Sequence, residues 1–148
     1  MANKVKSEIA VVVPVLFLAG CLTADVLATW QGTAGDFSLE GNIAVAWLWE
    51  KSGPLVFILP FLWLFLILAI GLWLINKQKM GDGLWVIYSV ASGHLIGFLS
   101  WTPLDFILNY LRGVNDWLLL AGLLLMAGLL GLLFTKMHLF FWNRQPGS

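Results

Sequence analysis

Four long apolar runs, separated by shorter polar stretches, make up most of this chain. They cover residues 9–30, 54–75, 84–103 and 117–135. Each run is close to the roughly 20 residues that a helix needs to cross the hydrocarbon core of a bilayer. We therefore predict an all-α integral membrane protein. Its four transmembrane helices form one bundle, and residues 1–148 form a single membrane domain.

A shorter apolar segment lies in the loop that follows the first run. Residues 31–42 are rich in turn formers, and residues 43–50 are apolar again but too few to cross a membrane. We expect an interfacial helix over 43–50, with Asn42 as its N-cap. The Gly53-Pro54 step separates this helix from the second run.

The positions of the cations predict the orientation, because Lys and Arg in short loops tend to stay cytoplasmic. With four crossings, six of the eight cations fall on one side: Lys4, Lys6, Lys77, Lys79, Lys136 and Arg144. Eight of the nine tryptophans fall near the ends of the apolar runs, as in an aromatic belt. Both termini are therefore expected in the cytoplasm, and the interfacial helix in the first outer loop.

Composition limits the classes of function. The chain is 60% hydrophobic and 11% charged, against about 25% charged in typical soluble domains. Its formal net charge is zero, so nothing in its charge indicates nucleic-acid binding. The expected partners are the lipid bilayer and either another membrane protein or a second copy of the chain.

Leu18-Ala19-Gly20-Cys21 resembles the lipobox at which bacterial lipoprotein signals are cleaved and acylated. Cleavage there would make Cys21 a lipidated N-terminus. However, the apolar run continues past Cys21 to Trp30, and Glu8 borders its start. We therefore expect no processing and treat Cys21, the only cysteine, as a reduced packing residue.

Two ionisable side chains fall inside the predicted spans, Asp25 and His94. Such residues cost about 2.5 to 3.5 kcal/mol on insertion scales and are functional candidates by default. Thr29 follows Asp25 by one helical turn on the same face. At about 1.5 Å per residue, Asp25 and His94 lie roughly one turn apart in depth. If the first and third spans are neighbours, we expect a hydrogen bond between carboxylate and imidazole.

His94 lies in a stripe of small residues. Ser89, Gly93 and Gly97 form this stripe, which includes a GxxxG pattern, and Ala127 and Gly131 form a weaker match in the fourth span. Small residues let helix backbones approach closely. One interpretation is therefore that this face only packs helices and that His94 hydrogen-bonds a neighbour.

The spacing Asp25-x-x-x-Thr29, a turn-rich gap and then Glu40-x-Asn42 resembles a family of small prokaryotic membrane proteins, the domain of unknown function 5658. The resemblance covers about the first 50 residues, and Ile43 stands where the family has proline. It implies a common architecture and a prokaryotic inner (cytoplasmic) membrane. It implies no reaction.

Other chemistry stays open for these residues. Asp25, Glu40, Asn42 and His94 would together offer oxygen and nitrogen ligands to a divalent metal or a path for protons. The chain has no HExxH or CxxC motif to support a metal site. Gly93 and Gly97 leave room beside His94 for a macrocycle with one axial histidine. A second axial ligand is not expected, because His138 lies beyond the predicted end of the fourth span.

From these observations we expect an accessory or binding subunit of a larger membrane complex. The alternatives are a small intramembrane enzyme or metal-binding protein that uses Asp25, Glu40, Asn42 and His94, and a pigment or haem protein ligated by His94. The sequence identifies no cofactor, and it leaves open whether the protein is an enzyme.

Intact-mass measurement of the purified protein tests the lipobox. We expect the first 20 residues to be present and Cys21 to be unmodified, because the apolar helix continues through the motif. A species that begins at Cys21 and carries acyl chains would contradict the four-span prediction, since the first span would then be lost.

Overall fold

The computed structural model describes residues 2–34, 36, 43–100 and 116–143, and these form helices joined by turns. The helices are α1 (Ala2–Gly32), α2 (Ile43–Ser52), α3 (Ile58–Asn76), α4 (Met80–Ser100) and α5 (Asp116–Trp142). A 3-10 turn over Gly53–Phe57 joins α2 to α3. The all-helical prediction is thus confirmed for the described residues.

Four of these helices contain segments long and apolar enough to span a membrane: Ala10–Gly32, Ile58–Asn76, Met80–Ser100 and Ala121–Trp142. The four apolar runs therefore predicted the right helices. The last helix continues to Trp142 instead of ending near Thr135, so Lys136 and His138 lie within it. Most residues of the helix beyond Lys136 are apolar again. Lys136 itself is exposed, and its long side chain lets the ammonium group reach polar surroundings.

The expected helix over 43–50 is present as α2, and Asn42 lies outside the described residues. The helix ends where Gly53 adopts a φ of +53°, a left-handed conformation that favours glycine. Pro54 then occupies the first turn of the 3-10 segment, where the missing N–H leaves no hydrogen bond unmade. The Gly53-Pro54 step thus separates α2 from α3.

Helix α4 lies at the centre of the structure and packs against α1, α3 and α5. It is the most enclosed of the four long helices: 33% of its most apolar segment is buried, against 11% of the corresponding segment of α3. The core cluster joins Leu18 and Cys21 of α1, Ile67 of α3, and Ile87 and Ala91 of α4. Cys21 is therefore a buried side chain inside an unbroken helix.

Helices α3 and α4 approach each other closely at Gly71, before the tight turn that connects them, and at Gly83, just after it. A Cβ atom on Gly83 would lie 2.5 Å from the carbonyl oxygen of Gly71 and 2.6 Å from Cγ1 of Ile75. Gln78 in the turn has a φ of +60°, and the Lys79 N–H donates to the Leu74 carbonyl. The sharp reversal brings the two backbones so close that only glycine fits at position 83.

On another side of α4, a Cβ atom on Gly131 of α5 would lie 2.6 Å from the backbone N and Cα of Ser89. Nearby, the Trp85 indole N–H donates to the Gly128 carbonyl at 3.1 Å. Close packing of α4 against α5 therefore also requires a glycine, here Gly131.

Gly83→Ala tests the close approach of α3 and α4. The added methyl group meets backbone as well as a side chain, so we expect the free energy of unfolding to fall by about 1 to 3 kcal/mol, as for other overpacked sites. Thermal melting in detergent is the measurement.

Gly81→Ala is the matched control in the same helix, because its Cβ would meet only Cδ1 of Leu139, at 4.0 Å. We expect it to be neutral or to stabilise by up to about 1 kcal/mol through helix propensity. Equal losses in the two variants would contradict a specific role for Gly83.

Candidate functional site

The expected hydrogen bond between Asp25 and His94 is present. Nδ1 of His94 lies 2.8 Å from Oδ2 of Asp25, and the bond joins α1 to α4. Each side chain is 21% exposed, so the pair is mostly but not completely enclosed. It is the only salt-bridge contact among the described residues.

The pair continues the packed faces of the two helices. On α1, Leu18 and Cys21 belong to the core, and Asp25 follows Cys21 by four residues. On α4, Ile87 and Ala91 belong to the core, and His94 follows Ala91 by three residues. Side chains three or four apart share a helix face. The apolar faces of α1 and α4 thus pack together in the core, and the hydrogen bond between Asp25 and His94 lies next to this packed region.

Gly97 makes room for the Asp25 carboxylate. A Cβ atom at position 97 would lie 2.5 Å from Oδ1 of Asp25 and 2.9 Å from its Cγ and Oδ2. The carboxylate therefore packs on the bare backbone of α4 one turn beyond His94. The carbonyl of Gly97 in turn accepts a hydrogen bond from the Ser100 hydroxyl, at 2.6 Å.

The two glycines do not leave the space that the macrocycle hypothesis requires. Gly97 is covered by Asp25, and a Cβ atom on Gly93 would be 3.9 Å from the methyl group of Ala127. A flat ring lying on these two glycines would have to displace the carboxylate and separate α4 from α5. The space expected at Gly93 and Gly97 is therefore occupied, and ligation of a macrocycle by His94 stays a prediction.

The hydrogen bond at Nδ1 determines which nitrogen of the His94 imidazole is left for other partners. When the ring is neutral, an Nδ1–H that donates to a carboxylate leaves Nε2 with the lone pair. The same carboxylate–histidine pairing orients histidines that bind metals. The arrangement is chemically suited either to hold two helices together or to accept a proton or a metal ion at Nε2.

The other predicted site residues are only partly brought together. Glu40 and Asn42 lie outside the described residues. Thr29 lies one turn after Asp25, and its carbonyl accepts hydrogen bonds from the N–H and hydroxyl of the buried Thr33. Within the described part of the chain, no group of three or more His, Cys, Asp and Glu side chains is placed to hold a metal. Asp25 and His94 thus supply two candidate ligands.

A hydrogen bond between two side chains, which was not predicted from the sequence, also joins α4 to α5. The Tyr88 hydroxyl and Nδ1 of His138 are 3.0 Å apart, and the Trp142 ring stacks on His138 with centroids 6.2 Å apart. Phe17 of α1 packs against Phe134 with ring centroids 5.5 Å apart. The only signal in the sequence was that the apolar pattern resumes around His138.

The second nitrogen of His138 is buried. Nε2 has no hydrogen-bond partner among the described residues. Nδ1 is therefore the ring nitrogen that links His138 to α4.

Comparison of the chain with models of protein families, with curated proteins and with solved structures finds no match. The resemblance of the first 50 or so residues to the domain of unknown function 5658 therefore stays a prediction.

Gly97→Ala tests whether the glycine positions Asp25. The methyl group would push the flexible carboxylate away from His94, so we expect the hydrogen bond to be lost, at a cost of about 1 to 2 kcal/mol of stability. The 15N shifts of the His94 ring, measured by NMR in micelles, report the bond. His138 is the internal reference, because the chain has two histidines.

Gly93→Ala is the matched control, since a Cβ at that position makes only an ordinary contact with Ala127. It should leave the His94 signals and the melting temperature nearly unchanged. Unaltered His94 signals in Gly97→Ala would show that the carboxylate keeps its position without the glycine.

Proposed function

We propose that this chain is an integral membrane protein and a non-enzymatic accessory or binding subunit of a membrane complex. Its four long helices cross the bilayer as one bundle, with both termini in the cytoplasm and α2 at the outer interface. The four apolar helices support the crossings. The grouping of six of the eight cations on one side supports the orientation.

The observation that carries the proposal is the internal pairing of Asp25 and His94. A charged group in a membrane helix is costly, and a partner on another helix offsets that cost. Here the carboxylate and the imidazole satisfy each other between α1 and α4. The pair is thereby suited to hold the bundle together.

The surface that remains for outside contacts is apolar. Large side chains are exposed along α3, including Phe61, Leu62 and Phe65, and along α5, including Leu125 and Leu129. Within a bilayer such faces contact lipid or the helices of another membrane protein. This surface supports a role in assembly, with either a different membrane protein or a second copy of the chain as the partner.

The partial exposure of the pair favours a second candidate function. Both side chains are 21% exposed, so a small ion can reach the site if this exposed edge faces water and not lipid. Nε2 of His94 would then accept a proton or bind a divalent metal, with Asp25 as the orienting carboxylate. The residues of this alternative are Asp25 and His94, joined by Glu40 and Asn42 if the first loop folds over them.

A double-mutant cycle with Asp25→Asn and His94→Gln separates the two functions. If the pair holds the helices together, each single variant melts earlier and the double variant loses little more. We expect a coupling energy of roughly 0.6 to 1.7 kcal/mol, the average and the upper end for hydrogen bonds between membrane helices in such cycles. Native purification should show weaker association with the partner in all three variants.

Glu50→Gln is the control, because it removes an exposed carboxylate of α2. It should change neither melting nor association. Variants at Asp25 and His94 that fold and associate normally but lose a bound metal or a transported proton would contradict the accessory role and support the second candidate.

A further inference from the structure

A groove of about 560 Å³ runs along the outside of α4 and α5, away from the Asp25–His94 pair. Most of its wall is apolar and consists of Trp85 and leucines of α5 such as Leu125, Leu129 and Leu132. Asp82, in the first turn of α4, and Lys136, near the end of α5, lie at one end. The groove is thus mostly apolar, with one acidic and one basic side chain at one end, which we call its mouth.

The dimensions and charges of the groove match a phospholipid. The lining of α5 below the mouth extends from Leu125 to Lys136. That distance is about 16 Å at roughly 1.5 Å per residue, enough to cover one leaflet of a core roughly 30 Å thick. Asp82 and Lys136 are both exposed and carry opposite charges. Together they complement a headgroup that contains both an ammonium and a phosphate.

We propose that this groove is a binding site for one ethanolamine phospholipid. An acyl chain lies along the leucines, the phosphate faces Lys136, and the ammonium faces Asp82. A primary ammonium has three N–H donors for the carboxylate, whereas the quaternary ammonium of choline has none. An anionic headgroup without an ammonium would leave Asp82 without a partner.

Gly128 keeps the groove open. Its backbone forms part of the wall, and its carbonyl accepts the hydrogen bond of the Trp85 indole, which holds that ring in place. A Cβ built on Gly128 has open space around it: apart from its own stretch of helix, no described atom lies within 4 Å. Since Gly128 lines the groove, we expect a larger side chain at this position to occupy it and compete with the acyl chain.

The proposal rests on the membrane insertion proposed above, and it is independent of the role of Asp25 and His94. Extraction of membranes with alkaline carbonate tests the insertion by itself. Release of the chain as a soluble protein would contradict insertion. Retention in the membrane without lipid selectivity would contradict only the lipid site.

Native mass spectrometry of the delipidated protein in mild detergent tests the site. Phosphatidylethanolamine, phosphatidylcholine and phosphatidylglycerol with identical acyl chains are added in turn. We expect one phosphatidylethanolamine to be retained several-fold more strongly than either other lipid. Equal retention of the three lipids, or retention of none, would overturn the proposal.

Variants of the groove locate the binding. Gly128→Leu should abolish the retained lipid. Gly122→Leu, the matched control, should keep it, because position 122 also has open space but does not line the groove. Asp82→Asn should remove the preference for ethanolamine over glycerol headgroups, and Lys136→Gln should weaken all three lipids. Unchanged selectivity in Gly128→Leu and Asp82→Asn would place the lipid elsewhere and overturn the assignment.

Discussion

The structure depends on how closely three other helices approach α4. In each contact a neighbour occupies space that a Cβ atom would need: Gly83 meets α3, Gly97 meets Asp25 of α1, and Gly131 of α5 meets Ser89. Inside a bilayer, burial of apolar surface contributes little to helix association, because lipid tails are as apolar as leucine. If the helices cross a bilayer as proposed, close packing and hydrogen bonds have to supply the stability, and these small residues permit both.

Two hydrogen bonds between side chains help to fix the rotation of α4 in this packing. His94 binds Asp25 on α1, and Tyr88 binds His138 on α5. Apolar side chains tolerate a change in the rotation of a helix, because one leucine contact replaces another at little cost. A buried hydrogen bond tolerates it poorly, since both partners would be left unsatisfied. A rotation of α4 would break both bonds, so together they select one setting of the central helix.

The sequence predicted the elements well and the contacts between them only in part. Long apolar runs give the helices directly, and counting residues from the helix ends was enough to match the depths of Asp25 and His94. The space that Asp25 takes over Gly97 was not predictable, because it depends on how α1 and α4 are rotated about their axes. The charge of Lys136 ends the fourth apolar run at Thr135, but the helix itself continues to Trp142. The bond between Tyr88 and His138 was therefore not predicted.

The 69 residues between Asp25 and His94 also have a consequence for the biosynthesis of the chain. At about 5 to 20 residues per second, a ribosome takes roughly 3 to 14 seconds to make the histidine after the aspartate. During that time α1 has no partner for its carboxylate. If α1 enters the membrane before α4 is made, as the proposed insertion implies, its carboxylate has to wait for the imidazole. The bond that joins α1 to α4 in the finished protein therefore forms late in synthesis.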